Sequence, residues 1–399
     1  MPDAHRHALV IGAGLAGASA TSALARRGWR VTLLDAASGP AQGASGLPVG
    51  MLSPHVTRSP TPLSQLSALG VAHTLAELQR LVPQGAGWQA CEVDNLGHDP
   101  GRWPATLVRP AALVHAWLRE AKSLSALDLR WNAAVQRLSH DPGHGPATRW
   151  RAWDAQGRCV GEAPIVVVAS ALGSVNLLTG DTAAMAPGDL PLNPVKGQMS
   201  LGPAPGLPFA ERPQRNDGVF VPRYQDSGLP PTWPAAIWSM GSTFDRGLVD
   251  TTLTAEAHER NARSLDTISP AAARHLRSEL AEGALMGWSQ VRCASLDRLP
   301  LAGAAPNVEA LRQQLGTGRA QRLRAALADV PRWPGLHLLC AMGSRGITLA
   351  PWCAEQLVMQ ITQEPSPVTP ALLAALDPAR FAIKNARRQG NARTRSTAG

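Results

Sequence analysis

Two spacings of apolar residues succeed one another along the chain, and each change of spacing marks an element. Ala8–Ile11 is a short, wholly apolar run, as a buried strand requires. The alanine-rich segment Leu15–Arg27 reads as a helix, Gly28 ends it, and Trp29–Leu34 reads as the next strand, closing on Asp35. Pro62–Leu81 and Arg109–Ala121 carry helical spacing, the second with Pro110 in its first turn. Leu127–Trp131 and Ala134–Leu138 read as strands, and Ile165–Ala169 as a central buried one. Pro187–Gly247 is rich in proline and tryptophan and lacks a helical period, which predicts a mainly antiparallel second sheet. Thr254–Leu280 then turns helical. Leu336–Cys340 is a last strand, leading through Gly343-Ser344-Arg345-Gly346 into a helix over Ile347–Ile361.

The first strand–helix junction carries chemistry. Gly12-Ala13-Gly14-Leu15-Ala16-Gly17 places glycines where a dinucleotide site needs them. Gly12 permits the tight turn, Gly14 lets the backbone approach a pyrophosphate, and Gly17 allows close helix–strand packing. The free N–H groups and positive dipole end of the helix then hold the phosphates. Asp35 stands 23 residues beyond Gly12, where a carboxylate can accept hydrogen bonds from a ribose. No arginine follows it to favour a 2′-phosphate, so NADP is disfavoured. The unit alone does not separate FAD from NAD.

Composition narrows the class. Apolar residues make up 44%, ample for a core and incompatible with disorder throughout. Five cysteines (Cys91, Cys159, Cys293, Cys340, Cys353) form no C-x-x-C pair, which argues against a disulfide framework or a metal site and fits the cytoplasm. His5-Arg6-His7 ahead of an apolar run has the look of a signal peptide, but Gly12, Gly14 and Gly17 interrupt it. No later stretch reaches the roughly 18 apolar residues of a membrane helix. Lys+Arg number 38 against 29 Asp+Glu, a net +9. Six of those excess charges, Arg380, Lys384, Arg387, Arg388, Arg393 and Arg395, follow the last acidic residue, Asp377.

Several motifs occur in an order that resembles one family. The opening βαβ unit, the loop Gln42–Gly46 (QGASG), Pro194–Ser200 (PVKGQMS), Arg292–Gly303 (RCASLDRLPLAG) and Gly343–Pro351 (GSRGITLAP) are similar to segments of FAD-dependent oxidases of the D-amino-acid/glycine oxidase superfamily. Ala371–Phe381 (ALLAALDPARF) with its basic tail further resembles the oxidase domain of the bacterial bifunctional enzymes that build 5-methylaminomethyl-2-thiouridine in tRNA. The sequence departs from them in reading Leu47-Pro48-Val49 and Leu52-Ser53-Pro54 beside the expected flavin, in place of an amide and an aromatic.

The resemblance implies an α/β fold: a Rossmann-like FAD-binding domain at 1–85, 100–190 and 290–368, interleaved with a mainly antiparallel-sheet substrate domain at 86–99 and 191–289. A basic helix and tail occupy 369–399. FAD, bound non-covalently, is expected on Gly12–Gly17 and Asp35. The flavin is expected along Ala44, Ser45, Gly46, Met51 and Leu52, with Val135 at the adenine on a strand of the first sheet. Gly173 and Gly343, Ser344, Arg345, Gly346 and Ile347 complete the set, the last group as a helix start facing the flavin pyrimidine edge. Arg292 and Arg345 are expected at the substrate carboxylate, unless Arg292 pairs with Asp297. His55 is a candidate base, Tyr224 an active-site hydroxyl, and Lys196 a residue near the flavin. The implied reaction is oxidation of an amine C–H bond followed by imine hydrolysis. Its substrate is either a carboxymethylaminomethyl group on a tRNA wobble uridine or a small amino-acid-like amine, and a flavoprotein that binds tRNA without turnover stays open. A separate methyltransferase is implied as a possible partner. Asp377-Pro378 starts a helix on which Arg380, Lys384, Arg387 and Arg388 share one face, either a solvated face or a phosphate-contacting stripe.

Overall fold

The computed structural model describes residues 6–97, 99–124, 127–141, 149–179, 185, 187–316 and 327–385. The parallel strands His7–Ile11, Arg30–Leu34, Leu127–Arg130 and Ile165–Val168 form a six-stranded sheet with Arg332–Cys340 and the antiparallel edge Leu301–Pro306. His7–Ile11 lies at its centre, between Ile165–Val168 and Arg30–Leu34. The chain leaves this strand towards one side first and fills the other side later. Such a reversal opens a crevice at the carboxyl ends of the strands.

Alternation along the central strand feeds two cores. Ala8 and Val10 pack with helices Leu15–Arg26, Pro110–Leu124 and Gly346–Thr362. Leu9 and Ile11 face the other way, onto a three-stranded sheet of Arg137–Asp141, Arg149–Trp153 and Cys159–Ala163. This small sheet corrects one expectation: Val135 lies in an extended link ahead of it, not on a strand of the first sheet.

The second sheet has nine strands and is antiparallel apart from the Gln214–Asn216/Trp88–Asn95 pair. It reaches beyond 86–99 and 191–289, because Gly50–Leu52 and Gly101–Val108 join it and Met286–Ser295 extends it to residue 295. Two helices back it, Ala255–Asp266 and Pro270–Ala281, within the stretch 254–280 that reads as helical. Pro270 cannot donate into a continuing helix, and the Ser269 hydroxyl accepts the Ala272 N–H, so the chain restarts there. Among the described residues no helix is long and apolar enough to cross a membrane.

The terminal helix begins as the sequence predicts, with the Asp377 carboxylate accepting the Ala379 N–H at 2.8 Å. Its expected basic face loses its first arginine to the body of the protein. Arg380 is turned inward, held by Asp297 at 2.8 and 2.9 Å and by the Leu299 and Pro300 carbonyls. Lys384 is exposed, whereas Arg387, Arg388, Arg393 and Arg395 lie outside the described residues.

Candidate active site

A cleft of about 700 Å³ runs from the carboxyl ends of the parallel strands to the inner face of the second sheet. Its floor is the glycine turn. Gly12 has φ +107°, and a Cβ there would stand 2.6 Å from the Ala169 carbonyl oxygen. A Cβ on Gly17 would strike the Gly12 carbonyl oxygen, so the helix can sit against the strand only with glycine. The N-cap, Gly14, has no side chain to offer, and the Ser45 hydroxyl accepts the Leu15 N–H at 3.0 Å instead. Asp35 accepts the Ala13 N–H at 2.6 Å and the Ala37 N–H at 2.8 Å. With one bond on each oxygen it keeps acceptor capacity towards the cleft.

Farther along, Gly343–Arg345 forms a single 3₁₀ turn leading into the helix Gly346–Thr362. No side chain caps this helix, and Gly343, Ser344, Gly346 and Ile347 line the cleft at its start. A positive dipole end is therefore directed at whatever occupies that part of the cleft.

Arg292 enters from the second sheet. It lies on strand Met286–Ser295, paired with Leu192–Pro203, and its guanidinium crosses the neighbouring strand at Gly197, where any Cβ would collide with it. It donates to the Ser242 hydroxyl and to the Thr243 carbonyl at 3.4 Å, and lies 5.0 Å from the centre of the Phe244 ring. Burial brings it down to about 10, against the pull of Asp245, so it remains a cation at neutral pH. Asp245 is taken by Arg260 at 2.7 and 2.8 Å, and Asp297 by Arg380. The expected alternative, an Arg292–Asp297 pair, does not form. Among the described residues, Arg292 is thus a cleft-lining cation whose hydrogen bonds go to neutral oxygens alone.

The family described as FAD dependent oxidoreductase (DAO) matches residues 7–107 and 102–360. This chain belongs to it. Among curated relatives, the tRNA 5-methylaminomethyl-2-thiouridine biosynthesis bifunctional proteins MnmC of Paracidovorax citrulli and of an Azoarcus species are 36% and 35% identical. The alignments cover 94% and 96% of this chain but 60% and 61% of those proteins, so the chain spans about three fifths of their length. Glycine oxidase from Geobacillus kaustophilus shares the fold, with a TM-score of 0.67 at 18% identity over 94% of this chain and 99% of that one. Iminodiacetate oxidase from Chelativorans does so with 0.64 at 19%, over 91% and 97%.

The cleft of this oxidoreductase fits the family's cofactor on its own geometry. A glycine cradle with helix N–H groups suits a pyrophosphate, Asp35 suits a ribose, and the dipole end at Gly346 suits an electron-rich ring edge. Of the positions expected around FAD, Gly17, Gly46, Leu52 and Arg345 do not line the cleft, and all the others do. Gly17 and Leu52 act in packing behind it.

Four residues expected near the substrate or flavin do not line the cleft. Tyr224 is fully buried in the second sheet, and its hydroxyl donates to Asp226 at 2.7 Å, the same carboxylate that Arg109 holds at 2.9 Å. Burial and Asp226 raise it far above its ordinary range, and it does not reach the cleft. Lys196 is buried and donates to the Thr252 carbonyl at 2.6 Å, a strand-to-loop tie. His55 and Arg345 stand beside the cleft, near one another. Sequence reasoning missed Ser242, Trp288 and Phe244, of which the first two line the cleft and the third is 55% exposed beneath Arg292. The sole sequence signal for them was Gly197, the small residue that makes room for the guanidinium.

Proposed function

We propose that this chain is an FAD-dependent amine oxidase acting on the 5-carboxymethylaminomethyl-(2-thio)uridine of a tRNA wobble position. It removes the carboxymethyl carbons and leaves the 5-aminomethyl form. The observation that carries this reading is Arg292: a desolvated cation in the cleft, without a carboxylate of its own, is complementary to a substrate carboxylate. Family membership supplies the reaction class, and the relatives' names point to the modified uridine.

Bound in the cleft, FAD supplies the acceptor for the hydride of the amine's CH₂ group. The chain's own residues position and neutralise. Arg292 fixes the carboxylate, which with the reacting carbon one bond away orients the C–H bond. Gly197 clears the space for that guanidinium, and the Ser242 hydroxyl and Thr243 carbonyl hold it. The Gly346 helix start stabilises negative charge that develops at the far end of the cleft. Loss of a hydride from carbon and of the proton from nitrogen turns R–NH–CH₂–COO⁻ into the imine R–N=CH–COO⁻, and water then splits it into R–NH₂ and glyoxylate. Cys293 lines the cleft, but burial pushes its thiol up to about 12, which keeps it protonated and supports non-covalent binding.

The test uses an anticodon stem–loop carrying the modified uridine. Wild type is expected to release glyoxylate, and acid precipitation to leave FAD in the supernatant. Arg292→Gln should retain FAD and lose about 30- to several-thousand-fold in kcat/KM, the ~2–5 kcal/mol typical of a buried charge pair that loses one partner. Equal turnover by both proteins would remove the basis of the reading. Glycine, sarcosine or a D-amino acid carries the same amine and carboxylate; efficient turnover of these with none of the stem–loop would point to a small-molecule oxidase.

A further inference from the structure

Outside the cleft, at its edge, four basic side chains come together from four separate segments. Arg345 sits between Ser344 and Gly346, both of which line the cleft, while its own side chain does not. Arg298 follows the strand that carries Arg292, in a turn closed by its N–H on the Ser295 carbonyl at 3.1 Å. That strand touches the Arg345 segment through a bridge between Ala294 and Met342. Arg215 is held at the same edge by the Ser53 hydroxyl at 2.9 Å and the Asn95 side-chain oxygen at 3.1 Å. His55, two residues past Ser53, has its N–H on the Ser67 hydroxyl at 2.8 Å.

The charge around this cluster is one-sided. His55 is lowered by burial and then by Arg345, Arg215 and Arg298, and no carboxylate opposes them. Arg345 is lowered by burial and by Arg298, and Arg215 by burial. The nearest acid in sequence, Asp297, is occupied by Arg380, Ser295 and the Leu299 N–H. Among the described residues neither Arg298 nor Arg345 has an ion-pair partner. Guanidinium cations gathered without a counter-charge repel one another, and a bound anion offsets that cost.

We propose that Arg215, Arg298, Arg345 and His55 form a seat for a phosphodiester of the substrate RNA, just outside the cleft that takes the modified base. This rests on the reading of the substrate as tRNA and divides the labour between the arginines. Arg292 inside holds the carboxylate, whereas Arg345, expected from the sequence to share that task, serves the nucleotide backbone. A nucleotide whose base enters the cleft carries its phosphates at the entrance, and a fork of guanidinium donors matches their oxygens.

The experiment compares the holoenzyme with Arg298→Gln, an exposed position without a structural partner, and with Arg215→Gln. Affinity for the fluorescent anticodon stem–loop is followed by anisotropy against salt concentration, and flavin reduction is followed with the stem–loop and with the free modified nucleoside. Each variant should weaken stem–loop binding by roughly tenfold, the scale of one charged hydrogen bond. The slope of log Kd against log salt should fall by about 0.7 for each single-strand phosphate that the variant no longer neutralises. Reduction by the nucleoside, which has no phosphate, should stay unchanged. Wild-type affinity and slope in both variants would overturn the seat while leaving the substrate reading intact. An equal loss on the nucleoside would also overturn it and assign the cluster to the carboxylate. No binding or reduction with wild type and the stem–loop would overturn the substrate reading, and the seat with it.

Discussion

Arg292 owes its position to the residue across from it. Its guanidinium occupies the volume that a side chain at position 197 would need, which is why the strand reads Lys196-Gly197-Gln198. Gly197→Ala is therefore expected to displace the guanidinium while leaving the sheet paired. Flavin reduction by a carboxylated amine should slow by at least about tenfold, with FAD content and melting temperature near wild type. A normal rate would show that Arg292 is not the carboxylate partner. At this scale the sequence was informative where a residue's job is local. Gly12, Gly17 and Asp35 act within one strand–helix–strand unit, so spacing alone reports them. Tyr224 and Lys196 were misplaced because their partners, Asp226 and Thr252, depend on how strands pair and loops fold back, which no local spacing records.

Helices Leu15–Arg26, Pro62–Leu81, Pro110–Leu124 and Gly346–Thr362 are tied by an ion network around Glu77. Glu77 accepts from Arg26 at 3.3 Å, from Arg80 at 2.9 Å and from the Trp117 indole at 2.7 Å, and Arg80 also holds Glu120. Burial alone would raise the Glu77 carboxyl; Arg80, Trp117 and Arg26 reverse this, and it lies below its ordinary value. Because the folded value is the lower one, its stabilisation is complete above the unfolded value of about 4.3 and is lost as pH falls through the folded value. Glu77→Gln should lower stability at neutral pH, and the difference from wild type should shrink below about pH 4 in urea melts. A constant difference across pH would contradict the assignment. Elements with one strong period were legible in the sequence itself, as the βαβ unit shows. Strands Trp88–Asn95 and Gly101–Val108 were not, since both carry exposed polar residues among buried ones and pair chiefly with each other.

Over the whole molecule, net charge proved a poor guide until it was located. The expected basic stripe loses Arg380 to Asp297, and an arginine cluster not visible in sequence lies at the cleft instead. The resemblance carried the interleaved architecture, because residues 50–52, 101–108 and 286–295 meet in one sheet across more than two hundred positions of chain. The proposed reaction ties the scales together: an amine oxidised in the cleft between the two sheets, with its carboxylate on Arg292. The most direct measurement mixes the yellow holoenzyme anaerobically with the anticodon stem–loop bearing 5-carboxymethylaminomethyluridine, in parallel with glycine, and follows the absorbance of the oxidised flavin in a stopped-flow instrument. Rapid, stoichiometric bleaching by the stem–loop, with little by micromolar glycine, is the predicted result. Bleaching by glycine at those levels, or none by the stem–loop, would contradict the account.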